Sequence, residues 1–243
     1  MAKDKRSKAH PPAASSSATA ATPSWPPFKP PLPVVDLTLE PLIEDKVVVL
    51  RSFFPRSLCR DYVSFLRGLP LITTPGKPKR GDAVRVNDRY QIDDATFANR
   101  LWTETGLKEA VAGEDVAHLW GGQVVGLNPN IRIYRYSPGQ FFDAHYDDFN
   151  YVSLKTEAGA ALPARTTWTL LLYLTSSADG CIGGETVFHP YDNNFSAKDE
   201  IAVSLETGML LLHKHGDDCL LHEGREVTAG EKWVIRTDLC VKR

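Results

Sequence analysis

The sequence predicts a mainly β fold with flanking helices, an antiparallel barrel or sandwich preceded by an α-helical part. Three observations lead there. Apolar residues at helical spacing are confined to the stretch before about residue 120. After it come short apolar runs punctuated by Gly, Asp and Asn, the pattern of many short strands. A tail of different composition precedes both.

Residues 1–33 are dominated by Ala, Ser, Thr, Pro and Lys and end in WPPFKPPLP. Such a composition buries too little apolar surface to offset chain entropy, so a disordered tail is expected, its prolines sampling polyproline II. KDKRSK within it is a weak basic cluster, and the Ser-rich, nearly acid-free composition also fits a transit peptide. Residues 34–243 are expected to form one domain, with helical support over 34–120 and the β core over 121–243.

KVVVLRSFF (46–54) reads as a buried strand. In PRSLCRDYVSFLRGL, Leu58, Tyr62, Phe65, Leu66 and Leu69 recur near 3.6-residue spacing, with Gly68 and Pro70 ending the helix. Residues 71–90 read as an exposed loop leading into VRVNDRYQI. Asp93 or Asp94 is placed to cap a second helix that carries Phe97, Leu101 and Trp102 on one face. IRIYRYS (131–137) alternates like a strand, and TWTLLLYLT (167–175) is a strand-like apolar run. GMLLLH (208–213), CLLHEG (219–224) and KWVIRTDLCV (232–241) complete the series.

The charge balance excludes some functions. At 243 residues and a net charge of −2, the chain has no global field for nucleic acid or anionic lipid. No apolar run reaches the roughly 18–20 residues of a membrane span. MAKDKRSKAH lacks the apolar segment of a secretory signal. Four scattered cysteines (Cys59, Cys181, Cys219, Cys240) form no C-x-x-C pair, so free thiols in a reducing cytoplasmic or nuclear compartment are expected. Oligomeric state is not legible.

The chemistry begins at FDAHYDD (142–148). Residues i and i+2 of a strand share a face, so His145 and Asp147 present an imidazole and a carboxylate side by side. Two histidines and one carboxylate leave three open positions on an octahedral metal, the arrangement of non-heme Fe(II) oxygenases. His-x-Asp is also the pattern of a solvated acidic turn, and the distal histidine has several candidates: His118, His189, His213, His215 and His222. His222 stands out because Lys232, ten residues on, is a cation able to hold the far carboxylate of a chelating dicarboxylate. Arg236 is a rival on the same strand face, ~13 Å from Lys232 at ~3.3 Å per residue, with better bidentate geometry. A simple hairpin over 222–236 would favour Arg236; a connection passing between sheets would not.

At this point the sequence resembles the Fe(II)/2-oxoglutarate-dependent dioxygenases of the prolyl 4-hydroxylase-like group. The matching segments, in the family's order, are YRYSPGQFFDAHYDD (134–148), TLLLYLT (169–175), GGETVF (183–188), GMLLLH (208–213) and LLHEGREVTAGEKWVIRTDL (220–239). The resemblance implies a double-stranded β-helix (jelly-roll) core. It implies Fe(II) on His145, Asp147 and His222, with 2-oxoglutarate as co-substrate and ascorbate as a reductant. Lys232 would pair with the 2-oxoglutarate C5 carboxylate, with Tyr136 reaching the same group and Arg236 as second choice. Glu185 in GGET would have a structural role at a strand start. Asn87-Asp88-Arg89 resembles a segment ahead of the barrel in related proteins, which would either line the substrate mouth or form a helix-capping turn, and SLKTEAGAALPAR (153–165) would overhang the site.

The implied activity is hydroxylation of an unidentified substrate, a prolyl or other protein side chain. A small-molecule substrate, or a metal-retaining binding module without catalysis, is the alternative. Because histidine binds metal only when neutral, metal affinity is expected to fall on acidification.

Overall fold

The computed structural model describes residues 22–74, 76, 83–156, 159–191 and 199–243. In chain order the elements are β1 (Leu39–Ile43), β2 (Val47–Leu50), α1 (Arg56–Leu66), β3 (Ile72–Thr73), β4 (Arg85–Val86), β5 (Asp88–Asp93), α2 (Ala95–Thr103), α3 (Leu107–Val111), β6 (Val124–Leu127), β7 (Asn130–Tyr136), β8 (Phe141–His145), β9 (Tyr151–Lys155), β10 (Ala161–Tyr173), β11 (Ile182–Gly183), β12 (Thr186–His189), β13 (Ile201–Val203), β14 (Leu210–Lys214), β15 (Leu221–Gly224), β16 (Val227–Ala229) and β17 (Lys232–Lys242). The major sheet runs β1-β2-β14-β10-β17-β7-β5-β3, with β6 on β17 and β9 on β10; the minor sheet runs β13-β12-β15-β8-β4. The described pairings are antiparallel. Two facing antiparallel sheets make the jelly-roll core.

The strand pleat sorts the side chains of the major sheet into two sets. Val48 and Leu50, Ile131 and Ile133, Trp168, Leu170 and Leu172, Leu210 and Leu212, and Trp233 and Ile235 join one apolar cluster with the helices. The residues between them, Val47 and Val49, Tyr134 and Tyr136, Tyr173, Leu211 and Val234, face the minor sheet. Lys232 and Arg236 lie two positions either side of Val234, so they share this inner face, as does Thr169 beside Leu170. Both faces of β17 are covered, and ten of its eleven residues are buried.

Helix α1 buries Leu58, Cys59, Tyr62, Val63 and Leu66, one face of the helix, against the outer face of the major sheet. Helix α2 starts at Asp94, whose Oδ1 accepts the Phe97 amide at 2.9 Å and so settles the choice of cap. The part expected to be helical support is mixed, because five strands lie between residues 34 and 120. Two of them, β3 and β4, interrupt the expected loop over 71–90; each is only two residues long and leaves no periodicity to detect.

Residues 1–21 of the expected tail lie outside the described residues. Residues 22–33 do not behave as a tail. Trp25 stacks on Phe97 with ring centroids 4.0 Å apart and donates its indole N–H to Asp94 Oδ2 at 2.8 Å. Phe28 packs edge-on against Phe54, and the Pro26 carbonyl accepts the Tyr62 hydroxyl at 3.0 Å. Two aromatic side chains suffice to anchor a segment whose average composition reads as disordered.

The segment 153–165 is part of a β9–β10 hairpin, with Val152 opposite Ala164 and Lys155 opposite Ala161. The stretch from His222 to Arg236 crosses from the minor sheet to the major one, so a simple hairpin does not apply. The four cysteines are free. No helix among the described residues is long and apolar enough to cross a membrane.

Candidate functional site

The site forms where the inner faces of the two sheets meet. On the minor sheet, β8 and β15 place His145 directly opposite His222, with ring centroids 4.3 Å apart. The two rings are held in the same way. His145 Nδ1 donates to the Asp143 carbonyl at 2.8 Å, and His222 Nδ1 to the Leu220 carbonyl at 2.9 Å. Each Nε2 is thereby left as the free lone-pair nitrogen. Phe142 stacks on His145 at 3.6 Å and fixes the ring plane.

Asp147 arrives differently from the sequence expectation. Strand β8 ends at His145, so a shared strand face does not position Asp147. The turn at 216–219 does: Asp147 N–H donates to Cys219 Sγ at 3.3 Å, and its carbonyl accepts the Gly216 amide at 2.9 Å. The carboxylate then sits 3.8 Å from both Nε2 atoms, through Oδ1 to His145 and Oδ2 to His222. One ligand atom from each of the three residues falls within 4.8 Å of the others.

The major sheet supports this carboxylate. Arg236 and the Thr169 hydroxyl both donate to Asp147 Oδ2 at 2.8 Å. Since Thr169 gives its proton to Asp147, it accepts from His215 Nδ1 at 3.1 Å. His215 Nε2 in turn accepts from Thr166 at 3.0 Å, and Thr166 accepts the Asn150 amide at 2.9 Å. A chain of four hydrogen bonds therefore links the segment after Asp147 back to its carboxylate.

Burial sets the charge states. It pushes the His145 imidazolium down to about 3, with the neighbouring His222 adding to the effect. His222, His213 and His215 are likewise shifted down by burial. Burial alone would raise the Asp147 carboxyl, but Arg236 and the surrounding histidines hold it well below the carboxylate range. The site thus presents neutral imidazoles and an ionised carboxylate.

A narrow pocket is lined by this trio and by Lys232, with Tyr134, Tyr136, Thr186 and Val234. Lys232 is 5% exposed, donates to the Gly184 carbonyl at 2.6 Å, and lies 5.4 and 5.5 Å from the ring centres of Tyr136 and Tyr173. Tyr136 stands opposite it in register. Gly184 adopts φ +75°, and a Cβ there would come 3.2 Å from Lys232 Cδ, so the second glycine of GGET makes room for the lysine. Glu185 offers its backbone carbonyl to the Arg225 amide, consistent with the strand-start role expected of it.

Residues 131–237 match the model of the 2OG-Fe(II) oxygenase superfamily. Over those residues the chain is similar to that superfamily. Prolyl 4-hydroxylase 2 of Arabidopsis thaliana is 28% identical over 198 residues, covering 71% of this chain and 63% of the relative. The chain therefore spans less than two thirds of that relative's length. A Pseudomonas putida prolyl-4-hydroxylase superposes with a TM-score of 0.55 at 16% identity, over 82% of this chain and 94% of that one. A Trichoplax adhaerens prolyl hydroxylase, solved with a hypoxia inducible factor oxygen degradation domain peptide fragment, does so with a TM-score of 0.51 at 15% identity, over 81% and 83%.

This core passes a chemical test for iron. Two neutral imidazoles with free Nε2 atoms and one ionised carboxylate are the donor set of a facial triad. A second cluster, His213, Cys219 and His222, also brings ligand atoms together. It fits less well, because burial pushes the Cys219 thiol up to about 11 and keeps it protonated. Of the other histidine candidates, His118 lies beside Asp45 at the surface and His189 beside Glu223.

Two neighbours of the triad were named from sequence only as alternative ligands. His215 supports Asp147 through Thr169. His213 lies opposite Thr169 on β14, 3.6 Å from Asp147 Oδ2, buried with neither ring nitrogen hydrogen-bonded. The pairing of β10 with β14 creates both arrangements, and no local motif encodes it.

Proposed function

We propose that the chain is an Fe(II)- and 2-oxoglutarate-dependent dioxygenase that hydroxylates a protein side chain of the prolyl class. One observation carries the reading: the three ligand residues and Lys232 line a single pocket. His145, Asp147 and His222 would hold the iron. With 2-oxoglutarate and dioxygen, iron bound there supplies the oxidant, coupling decarboxylation to succinate with insertion of one oxygen atom into a C–H bond.

The protein's part is positioning and exclusion of water. Lys232 meets the distal carboxylate of 2-oxoglutarate, and Tyr136 reaches the same group. Arg236, which the sequence left as a rival anchor, instead holds Asp147 ionised and oriented. The peptide bound to the Trichoplax relative, together with a wide open cleft over the triad, favours a peptide substrate over a small molecule.

The test is spectroscopic. Protein loaded anaerobically with Fe(II) and then given 2-oxoglutarate should develop the visible metal-to-ligand charge-transfer band, and His145→Ala should lack it. A folded wild-type protein without the band refutes the reading. Succinate release in air then separates an oxygenase from a binding module that merely retains metal.

A further inference from the structure

The cleft above the triad has a volume of about 1230 Å³. Among the described residues four arginines line it: Arg85, Arg89, Arg132 and Arg236. Two are accounted for. Arg132 donates to Asp238 Oδ2 at 2.6 Å, and Arg236 to Asp147 at 2.8 Å. Arg85 and Arg89 have no carboxylate within salt-bridge distance among the described residues. Arg89 donates to the neutral Gln91 amide. Arg85 stacks over Phe142 at 4.9 Å and Tyr134 at 5.6 Å, which steadies the guanidinium without neutralising it.

Among the described residues two further carboxylates line the cleft, and neither forms an ion pair with these arginines. Asp93 accepts the Asn130 amide at 2.8 Å and lies four residues along β5 from Arg89, ~13 Å at ~3.3 Å per residue. Asp148 accepts the backbone amide of Phe149 at 2.8 Å. The local potential registers on Tyr134. Burial alone would raise its phenol, yet Arg236, Arg132, Arg85 and Arg89 together bring it below the ordinary value. The four arginines crowd one another as well as the tyrosine.

The geometry points to an acidic peptide as the substrate, with an Asp or Glu carboxylate received by Arg85 and Arg89 close to the reacting residue; this rests on the oxygenase reading above. The Phe142 ring contacts both the Arg85 guanidinium, at 4.9 Å, and the ring of His145, at 3.6 Å, so the cation is near a residue that would hold the iron. At ~3.3 Å per residue of extended peptide, an acidic side chain one to three residues from the reacting one spans that separation. Arginine's planar fork suits a carboxylate. Tyr146 and Tyr151, both exposed on the cleft, supply apolar surface for the flanking residues.

The test uses the full chain loaded anaerobically with Fe(II) and 2-oxoglutarate, so that the charge-transfer band reports separately on the oxygenase reading. The probe is a decapeptide library with a fixed central proline and randomised flanks, and the bound fraction is sequenced. Asp and Glu should be enriched about tenfold over Asn and Gln within three positions of the proline. Arg85→Gln and Arg89→Gln, each shown to be folded by circular dichroism, should abolish that enrichment. A band with neutral or basic selection, with no selection, or with acidic selection that survives both substitutions overturns the inference. An absent band overturns the oxygenase reading, and this inference with it.

Discussion

Arg236 and Asp147 are joined by a 2.8 Å charge-assisted hydrogen bond inside the core, on the oxygen that also receives the Thr169 hydroxyl. The contact leaves Asp147 Oδ1 facing His145. It also engages Arg236 with Asp147, so that Lys232 is the other cation lining the pocket among the described residues. Arg236→Gln should therefore weaken Fe(II) binding by roughly 10- to 100-fold. At saturating iron, 2-oxoglutarate affinity should change little. Separate titrations of metal and co-substrate decide the point; the opposite pattern would make Arg236 the anchor.

Lys232→Ala should behave in the complementary way. Iron content after loading should match wild type, while 2-oxoglutarate binds roughly 10- to 100-fold more weakly, the value of a buried charge-assisted contact. Gly184→Ala is a second route to the same defect, because its Cβ would press on the Lys232 side chain from a strained φ of +75°. Metal analysis beside charge-transfer titration reads both.

The pH dependence departs from the sequence expectation. An ordinary histidine near 6.5 would lose metal to protons between pH 7 and 5. Burial holds His145 at about 3 and His222 also low, so Fe(II) affinity should stay nearly flat over that range while the fold persists. The protons act on stability instead. A histidine depressed in the folded state takes up protons on unfolding, so its contribution is full above about 6.5 and falls as pH drops toward about 3, by up to ~1.4 kcal/mol per pH unit each. Urea melts of the metal-free protein at pH 7 and 5 should show that loss. A pH-independent midpoint would contradict the buried neutral histidines.

The sequence exposed those parts of the site that sit within one segment. His145 and Asp147 are two residues apart, and His222 and Lys232 are linked by the spacing of a known family. What it did not reveal depends on which strands pair. Thr169, His213 and His215 gather around Asp147 because β14 lies beside β10, and GMLLLH does not say which strand lies next to it. The same limit hid the way Asp147 is fixed, through a turn 69 to 72 residues away in sequence. Helices α1 and α2 were legible because their periodicity is local; β3 and β4 were not, being two residues long.

Trp25 offers a test of the anchored segment. Its stacking on Phe97 and its hydrogen bond to Asp94, the α2 cap, tie residues 22–33 to the helical layer. Trp25→Ala should cost about 2 kcal/mol, below the 3–5 kcal/mol of a fully buried tryptophan because Trp25 is only partly buried. Removal of residues 1–33 should cost more, as it also takes Phe28 from Phe54. Chemical denaturation measures both, and a truncated protein as stable as the full chain would return the segment to the status of a tail.

Co-substrate binding should fail on the alkaline side, and Lys232 sets where. Full burial pushes its ammonium down to about 8, with Cys181 and Glu185 opposing the shift only weakly. Only the protonated amine can pair with a carboxylate. Below about 8 the charge is present and 2-oxoglutarate affinity should be constant. Above it each pH unit removes the cation from a further tenfold of the free protein, so apparent affinity should fall about tenfold per unit. Bound dicarboxylate stabilises the charged form, so the complex should deprotonate at higher pH than the free protein. Lys232→Arg keeps its charge throughout this range. If the bulkier head group still admits 2-oxoglutarate, its binding should be flat where the wild type declines. A wild-type profile that is itself flat from pH 7 to 9.5 would remove Lys232 from the co-substrate site.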